Sequence, residues 1–238
     1  MIKSRSSRLF WFRRWVIFIA IPGILILLAL GSWQVHRLMW KNEINSFRQD
    51  RSESTLVELP DVVEDIGGVL FKPVWVEGEF LHEQEMFLAA RSYRSNPGYH
   101  VITPFKLLNG SMVLINRGWI PLKLRDPKER LAGQINGKVR VQGLVTGEDT
   151  PGWMTPDNVP TENFWYWIDL DSLALHAGIE PISFIVDADS SPNPGGFPIG
   201  GQTRTELRNE HFQYAVIWYA LALCLGGISF LMLRRSRK

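Results

Sequence analysis

The chain has 238 residues, of which 45% are hydrophobic and 21% charged, with a formal net charge of +2 and a pI near 8.7. One cysteine, Cys224, rules out a disulfide framework and any paired-thiol redox or metal chemistry. The charge is unevenly spread. Nine of the 26 basic residues sit in the terminal tails, leaving 17 against 24 acidic residues between them, a net −7 that argues against nucleic-acid binding.

In chain order, residues 1–14 form a basic tail with Lys3, Arg5, Arg8, Arg13 and Arg14. Trp15–Trp33 is an uncharged apolar run of 19 residues, and Phe212–Leu233 is a second of 22. As helices these reach roughly 28 and 33 Å, enough to cross a bilayer's hydrocarbon core. We therefore expect a transmembrane helix over 15–35, an exported domain over 36–210, a second transmembrane helix over 211–233 and a basic tail over 234–238. Basic tails stay on the cytoplasmic side, which places the acidic centre outside. The first span is read as a retained anchor, because Leu30-Gly31-Ser32-Trp33-Gln34 offers no A-x-A cleavage site. Pro22-Gly23 predicts a tolerated kink within it.

Residues 36–50 continue the first helix, with Leu38, Ile44 and Phe47 as a weak apolar stripe. From Phe71 the period changes to two. In FKPVWVEGEF, Val74, Val76 and Phe80 fall opposite Trp75 and Glu79. Strand-length segments QEMFLAARSY, YHVITPFKLL and SMVLINRGW follow, separated by predicted turns at Ser95-Asn96-Pro97-Gly98 and Asn109-Gly110. KVRVQGLVTGE, NFWYWIDL and ISFIVDAD read as later strands, and LDSLALHAG as a short helix closed by Gly178. Within NFWYWIDL, a strand would put Trp165 and Trp167 on one face and Tyr166 on the other. Segments 149–163 and 188–203 are loops. The expected fold is a membrane protein: two terminal transmembrane α-helices flanking a β-rich α+β domain, mainly an antiparallel sheet or small barrel.

His211 opens the second span and shares a helical face with Tyr214 or Ala215 and with Trp218. A histidine there suits an axial ligand to a flat apolar cofactor such as haem. It equally suits a residue at the lipid headgroup level inside an ordinary aromatic belt. Gln34 and Arg37 end the first span at similar depth to Asn209 and His211, so a polar cluster across the helix pair is expected. Arg91, Tyr93 and Arg94, with Asn116-Arg117-Gly118-Trp119, offer cations and aromatics able to clamp a carboxylate or an acidic partner edge, or to form a solvated turn. Walker, G-x-S-x-G, G-x-G-x-x-G, H-E-x-x-H and CxxC patterns are missing, and His82, His100 and His176 lack ligand spacing. No nucleophile–base pair can be nominated, so no enzyme is expected.

Several segments together resemble the surfeit locus protein 1 family, membrane proteins that assist biogenesis of cytochrome c oxidase. They are Gly31-Ser32-Trp33-Gln34 with Arg37, Trp40 and Lys41; Arg91 to Phe105; Asn116 to Pro121; Asn163 to Asp169; and Arg208 to Ala215 with Trp218. The resemblance implies a non-enzymatic assembly factor in a bacterial inner membrane, or in mitochondria with its centre in the intermembrane space. It implies His211 as ligand to haem a, with Tyr214 and Trp218 beside it. Trp33, Gln34, Arg37, Arg117, Trp119 and Asn209 are expected on a contact surface. Implied partners are the haem-copper oxidase catalytic subunit, the haem a synthesis machinery and membrane lipid. The alternative is a scaffold that stabilises an oxidase intermediate without binding haem.

Overall fold

A computed structural model describes residues 5–60, 63 and 65–235. The tail residues Lys3, Arg237 and Lys238 lie outside the described residues. The chain forms two compact units, one of Met1–Phe47 with Glu206–Lys238 and one of Arg48–Thr205.

The first unit is a helix pair. Helix α1 spans Arg5–Ser52 and runs through Pro22 without interruption, while the C-terminal helix, His211–Arg235, is the last element of the chain. Along α1 the covered positions include Ala20, Ile24, Leu27, Gly31, Gln34, Leu38, Lys41 and Asn45, a series with alternating steps of four and three. The C-terminal helix repeats that rhythm with His211, Ala215, Trp218, Ala222, Leu225 and Ser229. This is the seam of two helices packing side by side, drawn with small residues as membrane pairs prefer. Gly31 makes room for the Tyr219 ring, where a Cβ would come within 2.9 Å of Cε1, and Gly23 lies against Leu225. Those contacts run in opposite sequence directions, so the pair is antiparallel, with the N-terminal part of α1 beside the C-terminal part of the last helix. Outside the seam the surface is apolar, with Phe18 74%, Leu25 61% and Leu223 78% exposed. Exposed apolar helices of this length fit a membrane protein. Phe47, expected in the covered stripe, is instead 51% exposed because the seam passes through Ile44 and Asn45.

The second unit is built on an eight-stranded sheet. Its strands are β1 (Val57–Glu58), β2 (Pro73–Phe80), β3 (Met86–Tyr93), β4 (Asn96–Leu107), β5 (Met112–Pro121), β6 (Val139–Thr146), β7 (Phe164–Trp165) and β8 (Ile185–Ala188). Two helices accompany them, α2 (Ile66–Val69) and α3 (Leu170–Ala177), so the C-terminal helix is α4. The order is β1-β2-β6-β8-β5-β4-β3-β7, and β2 also pairs with β4. That extra pairing closes β2, β6, β8, β5 and β4 into a ring, the small barrel that the short strands and tight turns predict. Closure is possible because β4 is long: its first half pairs with β3 and its last residues with β2. Not all pairings are antiparallel. β1–β2, β3–β7 and β5–β8 run parallel, since β8 returns only after the crossover that contains α3.

Alternating side chains fill both faces of β5. Val113 and Ile115 join Val74, Val76, Phe105 and Val145 on one side, while Leu114 joins Met86, Leu88, Ile102 and Ile185 under α3 on the other. Helix α3 begins at Asp169, whose carboxylate accepts from Ser172 N–H (3.0 Å) and Ser172 Oγ (2.7 Å), and ends at Gly178 with φ 64°. Asp169→Ala should lower thermal stability by the equivalent of about 1 kcal/mol, measurable by calorimetry.

Two local expectations are corrected. The turn placed at Ser95-Asn96-Pro97-Gly98 falls two residues earlier, over Tyr93–Asn96. Arg94 and Ser95 take φ 49° and 66°, a two-residue hairpin turn that leaves Asn96 paired with Tyr93. The other hairpin, at Asn109-Gly110, forms where expected. Likewise β7 stops at Trp165. Tyr166 and Trp167 N–H both donate to Asn158 Oδ1, turning the chain, so Trp167 does not repeat the fully buried position of Trp165.

Candidate functional site

Where α4 begins, the chain is strapped to α1 by polar side chains. Asn45 and Leu207 exchange two hydrogen bonds of 2.9 Å, Asn45 Nδ2 donating to Leu207 O and Leu207 N–H to Asn45 Oδ1. Lys41 Nζ donates to Arg208 O at 2.7 Å. Asn209 Nδ2 donates to Asn42 Oδ1 at 2.7 Å and to Leu38 O at 3.3 Å. One turn deeper, His211 Nδ1 lies 2.7 Å from Gln34 Oε1. The amide oxygen can only accept, so Nδ1 is the donor in this bond and Nε2 takes no part in it. Gln34 is only 9% exposed, so this contact is made out of bulk water.

The predicted polar cluster therefore exists, with members sorted by the seam. Gln34, Asn209 and His211 are in it. Arg37 is not; its guanidinium lies 4.2 Å above the Trp40 ring on the outward side. Ala215 and Trp218 share the packed face with His211, whereas Tyr214 is 46% exposed because its offset of three turns it away from α1. Trp33 and Phe212 are also outward. Asn42 and Asn45 were not singled out in the sequence, and Lys41 entered only through the family resemblance; polar residues at heptad spacing beyond the apolar run are the signal that would have found them.

In the strand unit, Arg117 and Trp119 do not form a contact surface. Arg117 is 1% exposed and Trp119 4%. Strand β5 carries a bulge there: Val101 pairs with Gly118 and Ile102 with Asn116, leaving Arg117 as the extra residue. Its side chain turns inward to Glu85, at 3.2 Å, and to the Gly133 carbonyl, with Phe80 stacked 4.5 Å away. Arg130 closes on the same carboxylate with two bonds, of 3.2 and 2.5 Å, and Gln134 Nε2 donates to it at 3.1 Å. Burial raises the Glu85 pKa, but hydrogen bonds from His82 and Arg130 and the Arg130 charge outweigh it and hold the carboxyl at about 2. Burial pushes the Arg117 guanidinium down to about 10 against the pull of Glu85. A carboxylate saturated by donors this way is a structural clamp that ties β3, β5 and the 127–134 turn together.

The sequence profile of the SURF1 family matches residues 21–223. The chain is 34% identical over 230 residues to a SURF1-like protein of Monosiga brevicollis, covering 92% of this chain and 85% of that one. It is 35% identical over 218 residues to Surfeit locus protein 1 of Rattus norvegicus, at 85% and 70% coverage. With Surfeit locus protein 1 of Homo sapiens it shares 36% over 235 residues, at 92% and 77% coverage. The profile spans both Gln34 and His211 and the whole strand unit between them.

Proposed function

The chain belongs to the SURF1 family, and from that premise we propose that it is a non-enzymatic, membrane-anchored assembly factor for a haem-copper terminal oxidase. In this reading it carries haem a, or the catalytic subunit that receives it, at the outer boundary of the membrane. The setting is a bacterial inner membrane, with the basic tails cytoplasmic and the strand unit periplasmic (the intermembrane space if mitochondrial). The antiparallel helix pair supports this, because it brings Arg14 toward the same end as Arg234 and Arg235.

One observation carries the haem reading: His211 is held by Gln34 through Nδ1, leaving Nε2 free at the edge of the apolar span. Axial histidines characteristically have one ring nitrogen fixed by an oxygen acceptor and the other free for the metal. The residues present fit such a group. Trp33, Phe212 and Tyr214, exposed and flanking the pair, are flat apolar surfaces of the kind a macrocycle stacks on. His211 would hold a haem through Nε2, and the haem would supply a redox-active iron centre. The chain's own contribution is to fix the ring's rotation through Gln34, to leave Nε2 outside that contact, and to remove water along the Ala215–Trp218 face.

Full chain purified in detergent from a host that makes haem a should show a haem absorbance band, and His211→Ala should remove it. Equal haem occupancy in that variant would overturn the ligand assignment. A colourless wild-type chain that still co-purifies with the oxidase core would instead establish the scaffold alternative.

A further inference from the structure

Two β-bulges lie side by side in the strand unit. Besides the one at Arg117, the β3–β4 register slips between Leu88 and Arg91. Ala90, in the slip, takes φ 55°, a left-handed conformation that costs a β-carbon residue energy and tends to persist where surrounding structure has a use for it. Beside these bulges is a cavity of about 510 Å3, the size of a small-ligand site. Arg91, Ser92, His100, Asn116, Asp149 and Asp187 are among its walls.

Of its acceptors, the Asp187 carboxylate and one Asp149 oxygen are already engaged. Asp187 Oδ1 receives Asn116 Nδ2 at 2.9 Å, and Oδ2 receives Thr203 Oγ1 at 2.8 Å. Asp149 Oδ2 receives the Ile168 N–H at 3.1 Å. Its donors are under-used. Arg91 has five N–H groups, yet its one hydrogen bond among the described residues is a long 3.4 Å contact to Asp149, with the side chain 30% exposed. Arg48 and Arg204 add positive charge to the same cavity. His100 contributes none near neutrality, since burial and the Arg91 charge push it down to about 4. Among the described residues no three His, Cys, Asp or Glu side chains come together as cation ligands.

We propose that this cavity binds a small hydrophilic carboxylic acid, its carboxylate seated on the Arg91 fork. A planar guanidinium matches two carboxylate oxygens, and the nearby Glu148 and Asp149 disfavour a more highly charged anion such as phosphate. The inference is independent of haem binding at His211.

The test uses full chain in detergent, titrated calorimetrically with acetate, glycolate and lactate at constant ionic strength. At least one should bind saturably in the millimolar range or tighter. Arg91→Gln should weaken it by about tenfold or more, while Arg94→Gln in the adjacent turn leaves it unchanged. On the wild-type chain, the bound acid should protect Arg91 but not Arg94 from phenylglyoxal, mapped by mass spectrometry, so the result does not depend on how the variant folds. No saturable binding, no protection of Arg91, or tighter binding of inorganic phosphate than of every carboxylate would each overturn the proposal.

Discussion

Glu85→Gln is expected to destabilise the strand-rich unit by about 3–5 kcal/mol, measured as a lower denaturant midpoint with an unchanged slope. Arg117 and Arg130 are each 2% exposed at the side chain and share the Glu85 carboxylate. A neutral amide of the same shape leaves two buried guanidinium groups without a counter-charge, and no water can reach them cheaply. The loss comes from the stranded charges more than from the attraction itself. Replacing all three members together by apolar residues of similar volume, for instance Glu85→Leu with Arg117→Met and Arg130→Met, should recover most of the stability.

The same carboxylate sets an acid limit. Its folded-state pKa, about 2, lies below its ordinary 4.5. A depressed carboxyl contributes stability that is fully present above its unfolded pKa and is lost as pH falls from there through the folded one. The gap of about 2.5 corresponds to roughly 3 kcal/mol. Wild-type stability should therefore fall between about pH 4.5 and 2, with a smaller fall over that interval in Glu85→Gln. An identical acid profile in the two proteins would show that Glu85 is not the group responsible.

Much of this fold is legible locally. Charge-free runs at each end mark the helix pair, alternation from Phe71 marks the strands, and Asp169 with Gly178 brackets α3. What the sequence hides is long-range. Glu85, Arg117 and Arg130 come from the residue before β3, from β5 and from a later turn, and an arginine between apolar strand residues looks no different from one facing solvent until a bulge points it inward. The Arg94-Ser95 turn is missed because neither residue advertises a positive φ, while the following Pro97-Gly98 looks like a turn and is extended. Parallel β8 depends on a crossover whose destination only the barrel decides. The helix-pair site is the intermediate case: equal depth predicts that Gln34, Asn209 and His211 lie together, but their pairings, and Arg37's position outside them, follow from the heptad seam.

That seam yields the sharpest consequence of the haem proposal. Gln34→Leu should lower haem affinity by about 10- to 100-fold without touching the ligand itself. Leucine removes the acceptor at 2.7 Å from His211 Nδ1, so the ring is free to rotate and to place its proton on Nε2, the tautomer that cannot bind iron. Gln34→Glu keeps an oxygen acceptor there and still fixes the ring, so haem affinity should stay near wild type or rise. The opposite signs separate positioning from packing, because leucine suits an apolar seam better than either polar residue and would be the benign change if Gln34 only filled space. Haem titration followed by the absorbance band of each variant decides it. Undiminished affinity in Gln34→Leu would mean that the Gln34–His211 contact joins the helices and does nothing for the cofactor.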